Sequence, residues 1–122
     1  IFLDTNPFSA HSTGCGSLMA GVPIITVSGK SFANNVCASL LTSLDLKELI
    51  SLNYNEYKNK AIDLGKNPHK LLNLKKKIKS NIFKRPLFNS KLYTKNLEKA
   101  FIQIYEIKKN NLHAEDLRID EL

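Results

Sequence analysis

The run Pro23-Ile24-Ile25-Thr26-Val27 constrains this chain more than any other feature. It is β-branched and almost wholly apolar, without the polar alternation of a half-wet strand. A strand of that kind is buried on both faces, and such strands belong to parallel sheets covered by helices. The flanking segments agree. Ser12 to Ala20 reads as a short helix, with Ser12 or Thr13 as N-cap, Leu18 and Met19 on its apolar side, and Gly21 just past its end before Pro23. Beyond the strand, Gly29 turns the chain and Ser31 caps a second helix carrying Phe32, Val36, Leu40 and Leu44 on one stripe. Ile1-Phe2-Leu3, ending at Asp4, and Leu49-Ile50-Ser51-Leu52 supply two more short strands. The alternation predicts an α/β fold.

Residues 54–109 read as mostly helical. Asn53 with Glu56 forms a capping-box pair, and Tyr57, Ala61 and Leu64 continue one stripe to Gly65. Asn67-Pro68 opens a helix whose inner face is Leu71, Leu74 and Ile78. Pro86 breaks the chain before a last helix with Tyr93, Leu97, Ala100, Ile104 and Ile107 on one face. Periodicity fades after about Asn110, so residues 1–110 are expected to be a partial domain and 111–122 a tail. The chain opens inside an apolar strand, and it is expected to be a piece of a longer protein that is inactive alone.

Charge is uneven. Residues 1–57 hold two lysines against four acids, whereas residues 58–122 hold sixteen bases against seven acids. Lys70, Lys75, Lys76, Lys77 and Lys79 take the outer side of their helix, the pattern of a solvated face. No aromatic-basic interleaving accompanies them, so no nucleic acid is expected as partner. No run reaches the roughly 20 apolar residues of a membrane helix, and no membrane partner is expected. Cys15 and Cys37 lack metal spacing and suit a reducing compartment, hence a cytoplasmic location. His69 and His113 stand alone among polar residues. No metal site is expected.

The stretch His11-Ser12-Thr13-Gly14-Cys15-Gly16, between a strand and a helix, is where chemistry would sit. A first helical turn offers unpaired N–H groups and a positive dipole end, both favourable to a phosphate. Ser12 and Thr13 add hydroxyls, His11 one more donor, and Gly14 close backbone approach. On residues alone, a plain N-cap fits as well. Asp4, at a strand end, reads as a carboxylate satisfying loop amides, and Lys30 as a solvated loop lysine.

The run His11-Ser12-Thr13-Gly14…Leu18-x-Ala20-Gly21-Val22-Pro23 is similar to the His-Thr-Thr-Gly…Leu-Trp-Ala-Gly-x-Pro stretch of the O-linked N-acetylglucosamine transferases. Gly29-Lys30-Ser31-Phe32-Ala33, Ala38-Ser39-Leu40-Leu41-Thr42, Glu48-Leu49-Ile50, Asn55-Glu56-Tyr57 and Pro86-Leu87-Phe88-Asn89 resemble later landmarks in order. Plant Spindly-type protein O-fucosyltransferases share the pattern, and the pair Asn35-Val36 is closer to them. The resemblance implies the later half of the Rossmann-like, nucleotide-sugar-binding C-terminal domain of a GT-B enzyme, parallel strands followed by a helical region. It implies inverting, metal-independent transfer of N-acetylglucosamine from UDP-N-acetylglucosamine to serine or threonine of acceptor proteins. No cofactor is implied beyond the sugar nucleotide, and an N-terminal catalytic domain and a tetratricopeptide array are expected upstream. By this resemblance His11, Ser12, Thr13 and Gly14 bind the donor diphosphate, while the catalytic groups lie upstream. The alternatives are GDP-fucose as donor, or an inactive scaffold. Gly16 stands where the family has an acid for the ribose, and Ser9-Ala10 stands where it has Asn-Gly.

Overall fold

In the computed structural model, which describes residues 1–119, β2 (Ile24–Val27) is the middle strand of a three-stranded parallel sheet. It pairs with β1 (Phe2–Leu3) through Phe2↔Ile24 and Leu3↔Ile25, and with β3 (Ile50–Ser51) through Thr26↔Ile50 and Val27↔Ser51. Ile24, Ile25 and Thr26 are wholly buried. Burying each isoleucine contributes about 1.5–3 kcal/mol, so the run that predicts the strand also anchors the core. The expected parallel α/β architecture is the one observed.

The connections are helical. α1 (Ser12–Met19) links β1 to β2, and α2 (Phe32–Ser43) followed by a 3₁₀ turn (Lys47–Leu49) links β2 to β3. α3 (Tyr54–Lys66) and α4 (Pro68–Ile82) complete a core of Leu18, Leu41, Leu44, Leu46, Leu64, Leu74 and Ile78 around the two isoleucines. α1 and α2 stop in the same way. Gly21, at φ +75°, donates to Leu18 O at 2.9 Å while Val22 N–H reaches Ser17 O at 2.8 Å. After α2, Asp45 at φ +59° donates to Thr42 O and Leu46 to Leu41 O. These paired bonds satisfy the last carbonyls, and glycine suits the left-handed position. The Asp45 carboxylate is in turn held by Arg85 at 2.8 Å.

Four expectations shift. The inward face of α2 is Cys37, Ala38 and Leu41, leading to Leu44, whereas Phe32 is 84% exposed. Phe32 lies at the helix start, before the sheet begins to cover it. The N-cap of α1 is His11, without a side-chain bond, so Ser12 and Thr13 lie inside the first turn. Glu56 bonds Leu52 N–H at 2.8 Å, one residue before the Asn53 cap that holds Glu56 N–H at 2.9 Å. Gly65 does not end α3, which runs to Lys66. On the basic face, Lys77 pairs with Glu48 at 2.7 Å and Lys70 with Asp63.

Cys37 is buried beside the Asp4 carboxylate, and burial first, then that negative charge and hydrogen bond, push its thiol up to about 12. At pH 8 only about one Cys37 in ten thousand is then a thiolate. Cys15 is partly exposed. Iodoacetamide at pH 8 should therefore modify Cys15 in native protein and reach Cys37 only after denaturant is added. Peptide mapping that found both labelled at one rate would refute this burial.

The chain divides into units Ile1–Phe88 and Asn89–Leu122. The second contains α5 (Ser90–Lys109), whose Asn89 cap accepts from Leu92 N–H at 3.0 Å. α5 has no buried residue, and Tyr93, Leu97 and Ile104 of the predicted stripe are exposed. Residues 111–119 carry no helix or strand, and 120–122 of the expected tail lie outside the described residues.

Candidate functional site

The loop from Asp4 to His11 carries the chain from the end of β1 to the start of α1, and buried polar groups set its path. Asp4 is 9% exposed. Its Oδ1 accepts from Thr5 N–H at 2.9 Å and Ala10 N–H at 2.7 Å, and its Oδ2 from the Thr26 hydroxyl at 2.6 Å. The Tyr57 hydroxyl donates to Asp4 O at 3.0 Å. Asp4 thus satisfies loop amides, as its position at a strand end predicts. Ser9 fixes the other end. Its N–H and hydroxyl both donate to Ala33 O, at 3.0 and 2.7 Å, and the hydroxyl accepts from Cys37 N–H at 3.2 Å. A serine hydroxyl can do both at once. Neither Ser9 nor Ala10 has a positive φ, so the loop does not require the glycine that the resemblance led one to expect.

The loop delivers His11 to the N-cap of α1. The first intrahelical bond runs from Cys15 N–H to His11 O at 3.1 Å. The N–H groups of Ser12, Thr13 and Gly14 come before it, and no side chain caps them. The Ser12 and Thr13 side chains are exposed beside those amides. Three amides, two hydroxyls and the positive end of a helix therefore share one turn, an arrangement suited to an anion. The His11 ring is stacked on Phe8, centroids 4.5 Å apart, and meets Phe32 edge-on at 6.3 Å. Its Nε2 is buried without a partner.

Gly14 also has a packing role that the sequence did not suggest. It is buried, and a Cβ there would stand 3.1 Å from Leu40 Cδ1 and 3.4 Å from Ala10 Cβ. The missing side chain lets α1 pack on α2, while the amide stays in the first turn. Nothing lies within 4 Å of a Cβ added at Gly16, so an acid would fit there. The loop after β2 is clamped by Asn35, which donates to Gly29 O at 2.7 Å and Ser31 O at 3.0 Å and accepts from Gly29 N–H at 3.1 Å. Lys30 in that loop is exposed, and so are His69 and His113. Among the described residues no group of histidines, cysteines or acids could hold a metal ion, and no helix is long and apolar enough to cross a membrane. Of the four tyrosines, Tyr57 packs on the core, whereas Tyr54, Tyr93 and Tyr105 are exposed. The sequence reading missed the Asp4–Thr26 bond, the Ser9 anchor and the Phe8–His11 stack. Only Asp4 carried a signal, a lone acid closing an apolar strand.

The family model for glycosyl transferase family 41 matches residues 1–97. The chain is 38% identical over 101 residues to a "Probable UDP-N-acetylglucosamine--peptide N-acetylglucosaminyltransferase SPINDLY" of Petunia hybrida, covering 83% of this chain and 11% of that protein. It is 34% identical over 115 residues to the Arabidopsis thaliana protein of the same description named SEC, covering 93% of this chain and 11% of that one. The chain thus spans about a tenth of the length of these curated relatives. Among solved structures, a variant of Thermobaculum terrenum O-GlcNAc transferase superposes with a TM-score of 0.79 at 30% identity, covering 84% of this chain and 20% of the other.

Proposed function

The chain belongs to glycosyl transferase family 41, and from that premise we propose that it supplies the donor-diphosphate site of a protein O-glycosyltransferase. The donor is UDP-N-acetylglucosamine and the acceptor a serine or threonine hydroxyl of a protein. Residues 1–110 are part of the C-terminal nucleotide-sugar-binding domain of a GT-B enzyme that works in the cytoplasm, with the N-terminal catalytic domain and tetratricopeptide array upstream. The observation that carries this reading is the open first turn of α1, where Ser12 and Thr13 stand exposed beside uncapped amides at the end of the strand-to-helix loop.

The chemistry follows from that turn. As the acceptor hydroxyl gives up its proton to a base on the upstream domain and its oxygen bonds to the anomeric carbon, the bond to the diphosphate breaks and negative charge grows on the leaving oxygens. Fixed N–H and O–H donors aimed at that charge stabilise the transition state more than the ground state. His11, Ser12, Thr13 and the Gly14 amide are those donors. As the family resemblance implies, the transfer is metal-independent, a helix terminus and hydroxyls taking the place of a divalent cation, and attack opposite the leaving group inverts the anomeric carbon.

The test is transfer by the full-length protein, with acceptor proteins, from UDP-N-acetylglucosamine and from GDP-fucose, each with and without EDTA. Expected is N-acetylglucosamine transfer that EDTA leaves unchanged. Fucose transfer alone, activity that requires added metal, or no transfer from either donor would overturn the reading.

A further inference from the structure

Two phenylalanines from different elements converge on one imidazole at this site. Phe8 belongs to the loop before α1 and Phe32 to the first turn of α2. Phe8 stacks on His11 at a 4.5 Å centroid distance with planes 27° apart, and Phe32 meets the same ring edge-on at 6.3 Å and 81°. Both are geometries that aromatic quadrupoles favour. Core packing does not account for either ring, since Phe8 is 62% exposed and Phe32 84% exposed. Nor does a hydrogen bond at Nε2 fix the imidazole, because that nitrogen is buried without a partner. The backbone beneath Phe8 is itself held, with the Thr5 hydroxyl donating to Phe8 O at 2.8 Å and Ser9 seated on α2.

We propose that Phe8, with Phe32 at its edge, is a positioning residue that fixes the His11 imidazole at the α1 N-terminus in the orientation the donor diphosphate requires. The inference rests on the diphosphate reading and adds what aims its histidine. An imidazole without this stack turns freely about its side-chain bonds and meets the diphosphate in the right pose only part of the time. Donors held in place act without reorganising as charge develops. Phe8 touches no reacting atom and acts through His11.

The experiment uses the full-length protein. Phe8→Ala is expected to lower kcat/KM for the sugar nucleotide about two- to tenfold, the range a stacked aromatic pair is worth. Phe8→Tyr should keep parent activity, whereas Phe8→Leu, apolar but without a ring, should not. In a His11→Ala background Phe8→Ala should change kcat/KM hardly at all, because the two residues act as a unit. In protein with labelled histidine and no donor present, the His11 ring signals should move on Phe8→Ala as the ring current disappears. Leucine performing as well as tyrosine, or an equal loss with and without His11, would overturn the positioning role. If His11→Ala is impaired and Phe8→Ala matches the parent, the positioning role alone falls. If His11→Ala and the variant lacking both α1 hydroxyls match the parent, the diphosphate reading falls and takes this role with it.

Discussion

Removing both hydroxyls of the α1 turn, Ser12→Ala with Thr13→Ala in the full-length protein, is expected to lower kcat/KM for the sugar nucleotide by several tens-fold or more. A hydrogen bond to a charged group is worth about 1.5–3 kcal/mol, and two of them act on one diphosphate. The variant is a clean probe because neither hydroxyl holds the fold: His11 is the N-cap, no side chain caps the turn, and both side chains are exposed. Alanine also suits a helical turn. Free nucleoside diphosphate should bind correspondingly less well, while nucleoside, which carries no phosphate, should bind almost as before. Calorimetric titration of the two ligands separates these cases. Turnover of donor at the parent rate would remove the phosphate assignment, and equal weakening of diphosphate and nucleoside would point to a distorted site.

The second large effect is structural. Asp4→Ala should destabilise the first unit by about 3–5 kcal/mol, because three buried or part-buried donors lose one acceptor together. The Ala10 amide and the Thr26 hydroxyl are buried, where water cannot replace the carboxylate. Asp4→Asn should fall between parent and alanine, since the amide oxygen can still accept from the two loop N–H groups. The denaturant midpoint at unchanged slope gives the comparison. A midpoint for Asp4→Ala equal to the parent would mean that the loop is held elsewhere. Donor use should fall with stability, as His11 and the α1 turn are reached through this loop.

The sheet was legible in the sequence because β2 is short, β-branched and apolar on both faces, and Pro23 and Gly29 bound it. The inward face of α2 was harder to read. Phe32, Val36, Leu40 and Leu44 recur at helical spacing, and Leu44 lies in the core with Leu40 packed against it, yet Phe32 is exposed while the smaller Cys37 and Ala38 are buried. Periodicity locates a stripe, but small residues at close-packed positions weaken its signal, and a large one at a helix end can lie beyond what covers it. The exposed, uncapped first turn of α1 was legible as a string, His11 to Gly14, since strand, loop and helix start are neighbours in sequence. Its supports were not. Thr26 lies 22 residues from Asp4, and Ala33 lies 24 from Ser9, and no local pattern joins them. Gly14 was read as close backbone approach, and its packing against Leu40 had no local signal, since the two lie on different helices.

The double fixing of the Asp4–His11 loop has a consequence for how tightly a donor can be held. Ordering the backbone of eight residues opposes folding by on the order of 10 kcal/mol in lost conformational entropy. Here Asp4, Thr26, Ser9 and Ala33 meet that cost when the domain folds. On the diphosphate reading, a sugar nucleotide therefore meets a loop already in its final course, and its binding free energy goes into its own immobilisation. Departure is eased for the same reason. On the same reading, release of the spent diphosphate then depends on the few hydrogen bonds at the α1 turn and not on any reordering of this loop.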